Sequence, residues 1–188
     1  GGGAGIGGGS GGCGKNITIN DGNVSTTGGN ASAGIGGGGC FNEDLYAPGE
    51  NIQISGGNVI AKGGEYGAGI GGAMFKSGNL ITIDGGNVEA IGGTAAAAIG
   101  SGADDCGAST GITVKNNADV LAKDGASTVP WSSETGNIYA SDLGDNGLVS
   151  ITRNPEENPS QLIYKSGGLV RVNTAAKYVS STNATCTA

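Results

Sequence analysis

The feature that most constrains this chain is a six-residue phrase that returns four times. It reads Gly-Ala-Gly-Ile-Gly-Gly in its first copy, and each copy is centred on one isoleucine: Ile6, Ile35, Ile70 and Ile99. A second phrase, Ile-x-Ile followed by a valine, lies after each copy. Self-similarity at a period of this length is typical of solenoids, in which a repeat buries its apolar edge only by stacking on its neighbours.

Composition narrows the class further. Glycine occurs 42 times in 188 residues, about three times its usual share of ~7%. Glycine and β-branched residues both disfavour helix, so the repeats are predicted to be strands. The net charge of -7 argues against a nucleic-acid partner, which would need clustered Lys and Arg. No apolar run is long enough to span a membrane as a helix.

The spacing predicts an all-β fold, a parallel β-helix that we expect to be right-handed. The four isoleucines are 29, 35 and 29 residues apart. Most of the variation in length lies between the isoleucine of the glycine-rich phrase and the Ile-x-Ile that follows it. Insertions therefore fall at one corner of a three-stranded coil. We predict a β-helix of four repeats over 1–125 and a β-rich C-terminal cap or assembly segment over 126–188. Strand-like runs in the second part are 137–140, 148–152, 162–164, 169–172 and 177–179.

Alternation along the strands predicts which side chains form the core. In the second strand of each coil both isoleucines of Ile-x-Ile point inward, as in Ile52 and Ile54. In the third strand the valine and the residue two positions later point inward, and in the first strand the alanine and isoleucine do. The stacked coils should then bury columns of similar aliphatic side chains.

Polar residues form a column of their own beside the third strand. Asn23, Asn58 and Asn87 each precede the inward valine and follow a Gly-containing turn, and Asp119 takes this place in the fourth repeat. Stacked amides can donate and accept along the axis, so we interpret this column as an inner asparagine ladder at a tight bend, ending at Asp119.

The sequence holds little that could perform catalysis. β-Helix enzymes that degrade polysaccharides gather acids and bases on one outer face. Here the outward column of the third strand reads Ser25, Ile60, Glu89 and Leu121, with one acid, and the chain has no histidine. We therefore expect no enzyme and no cofactor. A metal site is not expected either, because Cys-x-x-Cys spacing and histidine are both absent.

The phrases Gly-Ala-Gly-Ile-Gly-Gly and Ile-Thr-Ile-Asp-Gly-Gly-Asn-Val-Glu-Ala (residues 81–90) resemble glycine-rich repeats of large surface or secreted proteins, particularly those of clostridia-like bacteria. The resemblance covers roughly residues 1–125. It implies a non-catalytic, extracellular β-solenoid module with a stalk, adhesive or carbohydrate-contacting role.

Four cysteines suggest disulfides and an oxidising compartment. Cys13 and Cys40 occupy the same corner on consecutive coils, one rung of ~4.8 Å apart, which suits a disulfide. Cys106 lies two coils beyond Cys40, so we pair it with Cys186, which would fix the C-terminal tail.

Three further groups of residues are candidates for contacts. Aromatic side chains that could bind sugar or protein, or could simply pack under a loop or cap, are Phe41, Tyr46, Trp131 and Tyr139. Glycines that could form a close lateral assembly face, or could only permit corner torsions, are Gly5, Gly7, Gly34, Gly36, Gly69 and Gly71. Sequons that would matter in a glycosylating host begin at Asn16, Asn30 and Asn183, whereas Asn23 is a poor candidate because it belongs to the ladder.

Together these features predict an extracellular structural or adhesive module, a surface stalk or filament subunit. It would self-associate into a homo-oligomer or fibre, present its loops, or continue covalently in a longer chain. The alternative is a carbohydrate-binding module that uses Phe41, Tyr46 or Trp131 to hold glycans.

Overall fold

The computed structural model describes residues 2–40, 47–94, 96–103, 109–114 and 118–124, and five strands between residues 147 and 187. The predicted fold is confirmed. These residues form an all-β solenoid of stacked parallel coils, about three turns in length, without a helix in the described ranges. No helix in the described residues could therefore serve as a membrane span.

Each coil contributes one strand to each of three parallel sheets, and each sheet has four such strands. The first sheet contains β1 (Ile6–Gly7), β4 (Ile35–Gly36), β7 (Ile70–Gly71) and β10 (Ile99–Gly100). The second contains β2 (Gly14–Ile19), β5 (Gly49–Ile54), β8 (Gly78–Ile83) and β11 (Thr113–Val114). The third contains β3 (Asn23–Thr27), β6 (Asn58–Lys62), β9 (Asn87–Gly92) and β12 (Asp119–Asp124).

The register stacks equivalent residues, as the repeat predicts. Ile6 pairs with Ile35, Ile52 with Ile81, and Val59 with Val88. Core side chains that are at most 2% exposed come from all three sheets: Ile35, Ile52, Ile54, Ile70, Ile81, Ile83, Ile99, Val59, Val88, Val114 and Val120. The predicted inward columns are therefore confirmed.

Beyond the parallel coils, the third sheet continues with antiparallel strands. Strand β15 (Leu169–Asn173) pairs antiparallel with β12, then β14 (Gln161–Ser166) and β13 (Gly147–Ile151) follow. A separate antiparallel pair is formed by β16 (Lys177–Val179) and β17 (Thr185–Thr187). Four of the five predicted C-terminal runs are thus strands, and the fifth, 137–140, lies outside the described residues. The domain boundary near residue 125 stays a prediction.

The glycine-rich phrase forms the sharpest corner of the coil. The alanine N–H donates to the carbonyl four residues later, at 2.9 Å from Ala33 to Gly37, and the same bond recurs in the other coils. Gly36 has a φ of 134°, and a Cβ there would overlap the carbonyl oxygen of Gly71. A Cβ at Gly34 would lie 2.7 Å from the backbone nitrogen of Lys62. Backbone packs against backbone at Gly34 and Gly36, whereas in the fourth coil Ala98 takes the position of Gly34.

The exposure of these glycines bears on the predicted lateral assembly face. Gly34, Gly36, Gly69 and Gly71 are buried, and only Gly5 and Gly7 in the first coil are exposed. Burial of the four glycines in the second and third coils favours the alternative in which glycine serves the corner geometry. A lateral assembly face stays a prediction.

The core columns should not accept a charge. We expect Ile83→Asp to abolish folding, because Ile83 is 0% exposed and an unpaired buried carboxylate costs several kcal/mol, a large part of a domain's stability of about 5–15 kcal/mol. The matched control is Thr82→Asp, at the neighbouring outward and partly exposed position. Thermal unfolding followed by circular dichroism should show a cooperative transition for the control only. Similar transitions for both variants would contradict the face assignment.

The glycine corner makes an equally sharp prediction. Gly36→Ala should destabilise the protein by about 3 kcal/mol or more, since it combines a strained φ with overlap on the next coil. Gly9→Ala is the control, because a Cβ at Gly9 would meet nothing within 4 Å. Denaturant unfolding measures both, and a Gly36→Ala variant as stable as the control would show that the corner can relax.

Candidate functional site

The candidate site is a shallow groove of about 370 Å³ on the outer face of the third sheet. Two outward columns border it because outward positions on a strand are two residues apart. One column contains the ladder residues Asn58, Asn87 and Asp119, and the other contains Ile60, Glu89 and Leu121. Val59 and Val88 line the base between them and are buried.

The predicted asparagine ladder is present in the first three coils. The Asn58 side-chain nitrogen donates to the Asn23 oxygen at 2.9 Å, and Asn87 donates to Asn58 at 3.0 Å. The ladder is on the solvent side rather than inside, since all three asparagines are exposed. The interpretation of this column as an inner ladder was wrong, because each asparagine is the first residue of its strand and precedes an inward valine, so alternation turns its side chain outward.

Asp119 lies beside Asn87 in the register but cannot continue the ladder in the same way. A carboxylate accepts hydrogen bonds and does not donate them, so Asp119 offers no donor to the Asn87 side-chain oxygen. The column does not end there in the backbone register, because β15 aligns Asn173 with Asp119. The site therefore lies where the parallel coils meet the antiparallel extension.

The second column supplies the apolar wall. Ile60 is 44% exposed and stands in register with Ser25 on one side and Glu89 on the other. Glu89 and Leu121 are partly buried in the same column. Both columns are visible in the sequence, but neither column by itself indicates a groove. The signal that could have revealed the groove is their spacing of two residues on the same strands.

The second sheet carries a different set of ladders on its outer face. The Asn51 side-chain nitrogen donates to the Asn16 oxygen at 2.6 Å, and both residues have a φ of 56°. Next to them Lys15 forms an ion pair with Glu50 at 2.6 Å, and the hydrogen bond and charge of Glu50 raise the pKa of Lys15. These contacts link the first two coils across the outer face, away from the groove.

Leu80 takes the place of these asparagines in the third coil. It has a φ of 53°, is 54% exposed, and lies close to Gly111 of the next coil. A left-handed conformation costs a residue with a Cβ about 1–2 kcal/mol, whereas asparagine tolerates it better. Leu80 is thus a strained, exposed apolar residue that sequence alternation did not reveal.

The predicted disulfide between Cys13 and Cys40 is not shown. Cys13 is exposed with a free thiol, while Cys40 is partly buried. The physical reason is the register: Gly14 pairs with Gly49, so the residue beside Cys13 is Pro48, whose carbonyl accepts the Gly14 N–H at 3.1 Å. Cys106 lies outside the described residues, as does the side chain of Cys186, so their pairing stays a prediction.

The remaining candidates divide in the same way. Phe41, Tyr46, Trp131, Tyr139 and Asn183 lie outside the described residues. Asn16 and Asn30 are exposed, and the Asn30 side-chain nitrogen donates to Glu65 at 2.9 Å. Glycosylation at these sequons stays a prediction.

Comparison with known proteins supports the repeat architecture. A family model described as a beta helix repeat matches residues 17–39, 52–74 and 81–103. Each match begins at the equivalent isoleucine of the second sheet, Ile17, Ile52 or Ile81, so the three matches share one structural register. Comparisons with curated proteins and with solved structures gave no match. The matched residues therefore carry β-helix repeats, and the narrower resemblance to clostridial surface proteins stays a prediction.

The second ladder leads to a test of strain. Leu80→Asn should stabilise the protein by about 1 kcal/mol, because asparagine suits a φ of 53° and could donate to Asn51. Leu80→Ala is the control. It removes the exposed apolar side chain, but alanine does not tolerate a left-handed conformation as asparagine does and has no amide that could donate to Asn51. Denaturant midpoints compare the two, and equal stability would mean that the backbone strain has no measurable cost.

Proposed function

From these β-helix repeats we propose a non-catalytic structural and adhesive module of a secreted or surface protein, used as a stalk or filament subunit. The observation that carries the proposal is that the repeated residues serve stacking. Isoleucines and valines fill the columns, glycines allow the corners to approach, and Asn23, Asn58 and Asn87 link the coils. Stacking of this kind suits a structural module, because further coils or copies would extend it along the axis.

An extracellular setting fits the residues that face solvent. The sequon residues Asn16 and Asn30 are exposed on the coils, and a net charge of -7 favours solubility. Disulfides and sequon glycosylation belong to secreted proteins. The absence of histidine from the sequence agrees with a module that does not catalyse acid–base chemistry near neutral pH.

Self-association through the first coil is part of the proposal. Strands β1, β2 and β3 are the end strands of their sheets, and an open strand edge is a template for further pairing. Ile6, Ile17 and Val24 are only partly buried, whereas their equivalents in the second and third coils are at most 2% exposed. At the other end of the third sheet β15 already pairs with β12. The edge of the first coil would therefore pair with a second copy or with a further coil of a longer chain.

Sedimentation velocity of the full chain over a range of concentrations tests this proposal, with electron microscopy of the same samples. We expect concentration-dependent association and elongated particles. Val24→Lys should weaken association because it places a charge on the exposed end of a core column, whereas Ser25→Lys at the adjacent outward position should not. A chain that stays monomeric and globular at every concentration would overturn the proposal.

A second candidate function, carbohydrate binding, is favoured by the groove itself. The groove combines amide and carboxylate groups, which can form hydrogen bonds with sugar hydroxyls, with an apolar wall, which can contact the C–H face of a sugar ring. This candidate no longer depends on the predicted aromatic residues.

A further inference from the structure

We propose that the groove on the third sheet binds a neutral polysaccharide, with the glycan chain running across the strands, along the solenoid axis. This inference goes beyond the structural role, which would stand even if the groove bound nothing. It rests on the unused hydrogen-bonding capacity of the ladder, on the exposed apolar wall, and on the charge of the groove.

The ladder leaves groups free for a ligand. A side-chain amide has two N–H donors and an oxygen with two lone pairs. Asn58 uses one N–H towards Asn23 and one lone pair towards Asn87, so one donor and one lone pair remain. Asn87 also uses one N–H, and its oxygen receives no donor from Asp119. Because Asn58 and Asn87 are exposed, each of these two amides offers both a donor and an acceptor to solvent.

Hydroxyl groups match this pattern better than other ligand chemistries do. A sugar hydroxyl both donates and accepts, as the free part of each amide does. Equivalent amides recur at the spacing between parallel strands, about 4.8 Å, which is comparable with the length of one sugar unit. A chain of sugars that runs along the axis would therefore meet a similar amide at successive units.

The opposite wall explains how the sugar ring would be held. Ile60 is 44% exposed and lines the groove, and Leu121 is partly buried two rungs further along the same column. Pyranose rings have apolar C–H faces that can cover such side chains. The equivalent position in the first coil is occupied by a serine, Ser25. The apolar residue is therefore not required by the fold at this position.

Charge selects among polysaccharides. Among the described residues that line the groove there are two carboxylates and no Lys or Arg, and the chain has a net charge of -7, so a polymer of uronic acids would find no cation to bind there. Nucleic acid is disfavoured for the same reason. An extended peptide would most readily join a strand edge, whereas the groove lies on a sheet face. A neutral glycan satisfies the hydrogen-bonding groups without needing a cation.

Affinity gel electrophoresis of the full chain tests the proposal. Native gels should contain a soluble β-glucan, a mannan or a galactan, and a parallel gel should contain polygalacturonate. We expect retardation in at least one neutral gel and none in polygalacturonate. Ile60→Ser, which copies the first coil, should weaken binding about tenfold, because it removes the apolar contact and leaves the ladder intact.

Leu80→Asn is the matched control, since Leu80 is the other large exposed apolar residue in the described chain but lies on the second sheet. It should bind like the wild type, and circular dichroism should show that both variants are folded. The proposal is overturned by an absence of retardation in every neutral gel, by equal retardation in polygalacturonate, or by an unchanged Ile60→Ser variant. Sedimentation of the same samples reports separately on self-association, so failure of the groove and failure of the structural role can be told apart.

Discussion

The structure depends on the close approach of backbones at the glycine corner. Gly36, Gly71 and Gly100 all adopt φ between 129° and 137°, and each lies where a Cβ would be excluded by a neighbouring coil or by the strained torsion. Only this tight corner lets three strands close a coil of about thirty residues. The aliphatic columns then stack in register, and parallel hydrogen bonding follows from that register.

The outer face follows from the same register. Because every coil repeats the turn before its third strand, asparagines stack into an exposed ladder, and the residues two positions later stack into a second column. The first column has asparagine in three coils and links them by side-chain hydrogen bonds. The second column changes from serine to isoleucine, glutamate and leucine, so it carries little of the fold and can carry recognition. A rod with one variable face suits a structural module that also contacts a glycan.

The extension by β15 gives the solenoid two different ends. Parallel coils could in principle be added without limit, but antiparallel pairing of β15 with β12 changes the direction of the third sheet. At the first coil, Ile6, Ile17 and Val24 remain partly exposed.

The sequence by itself determined the architecture and the core, since Ile-x-Ile, the following valine and the glycine phrase recur with a spacing that only stacked strands can use. It also indicated the ladder of Asn23, Asn58 and Asn87. Alternation with the inward valines already turns that ladder towards solvent. Only the tertiary structure decided that Cys13 lies beside Pro48 rather than Cys40, and that Leu80 is strained. The reason is physical: alternation predicts the face of a residue within a regular strand, whereas corners and left-handed residues shift both face and register. These shifts depend on contacts between coils, and the groove exists only where two such columns come to lie side by side.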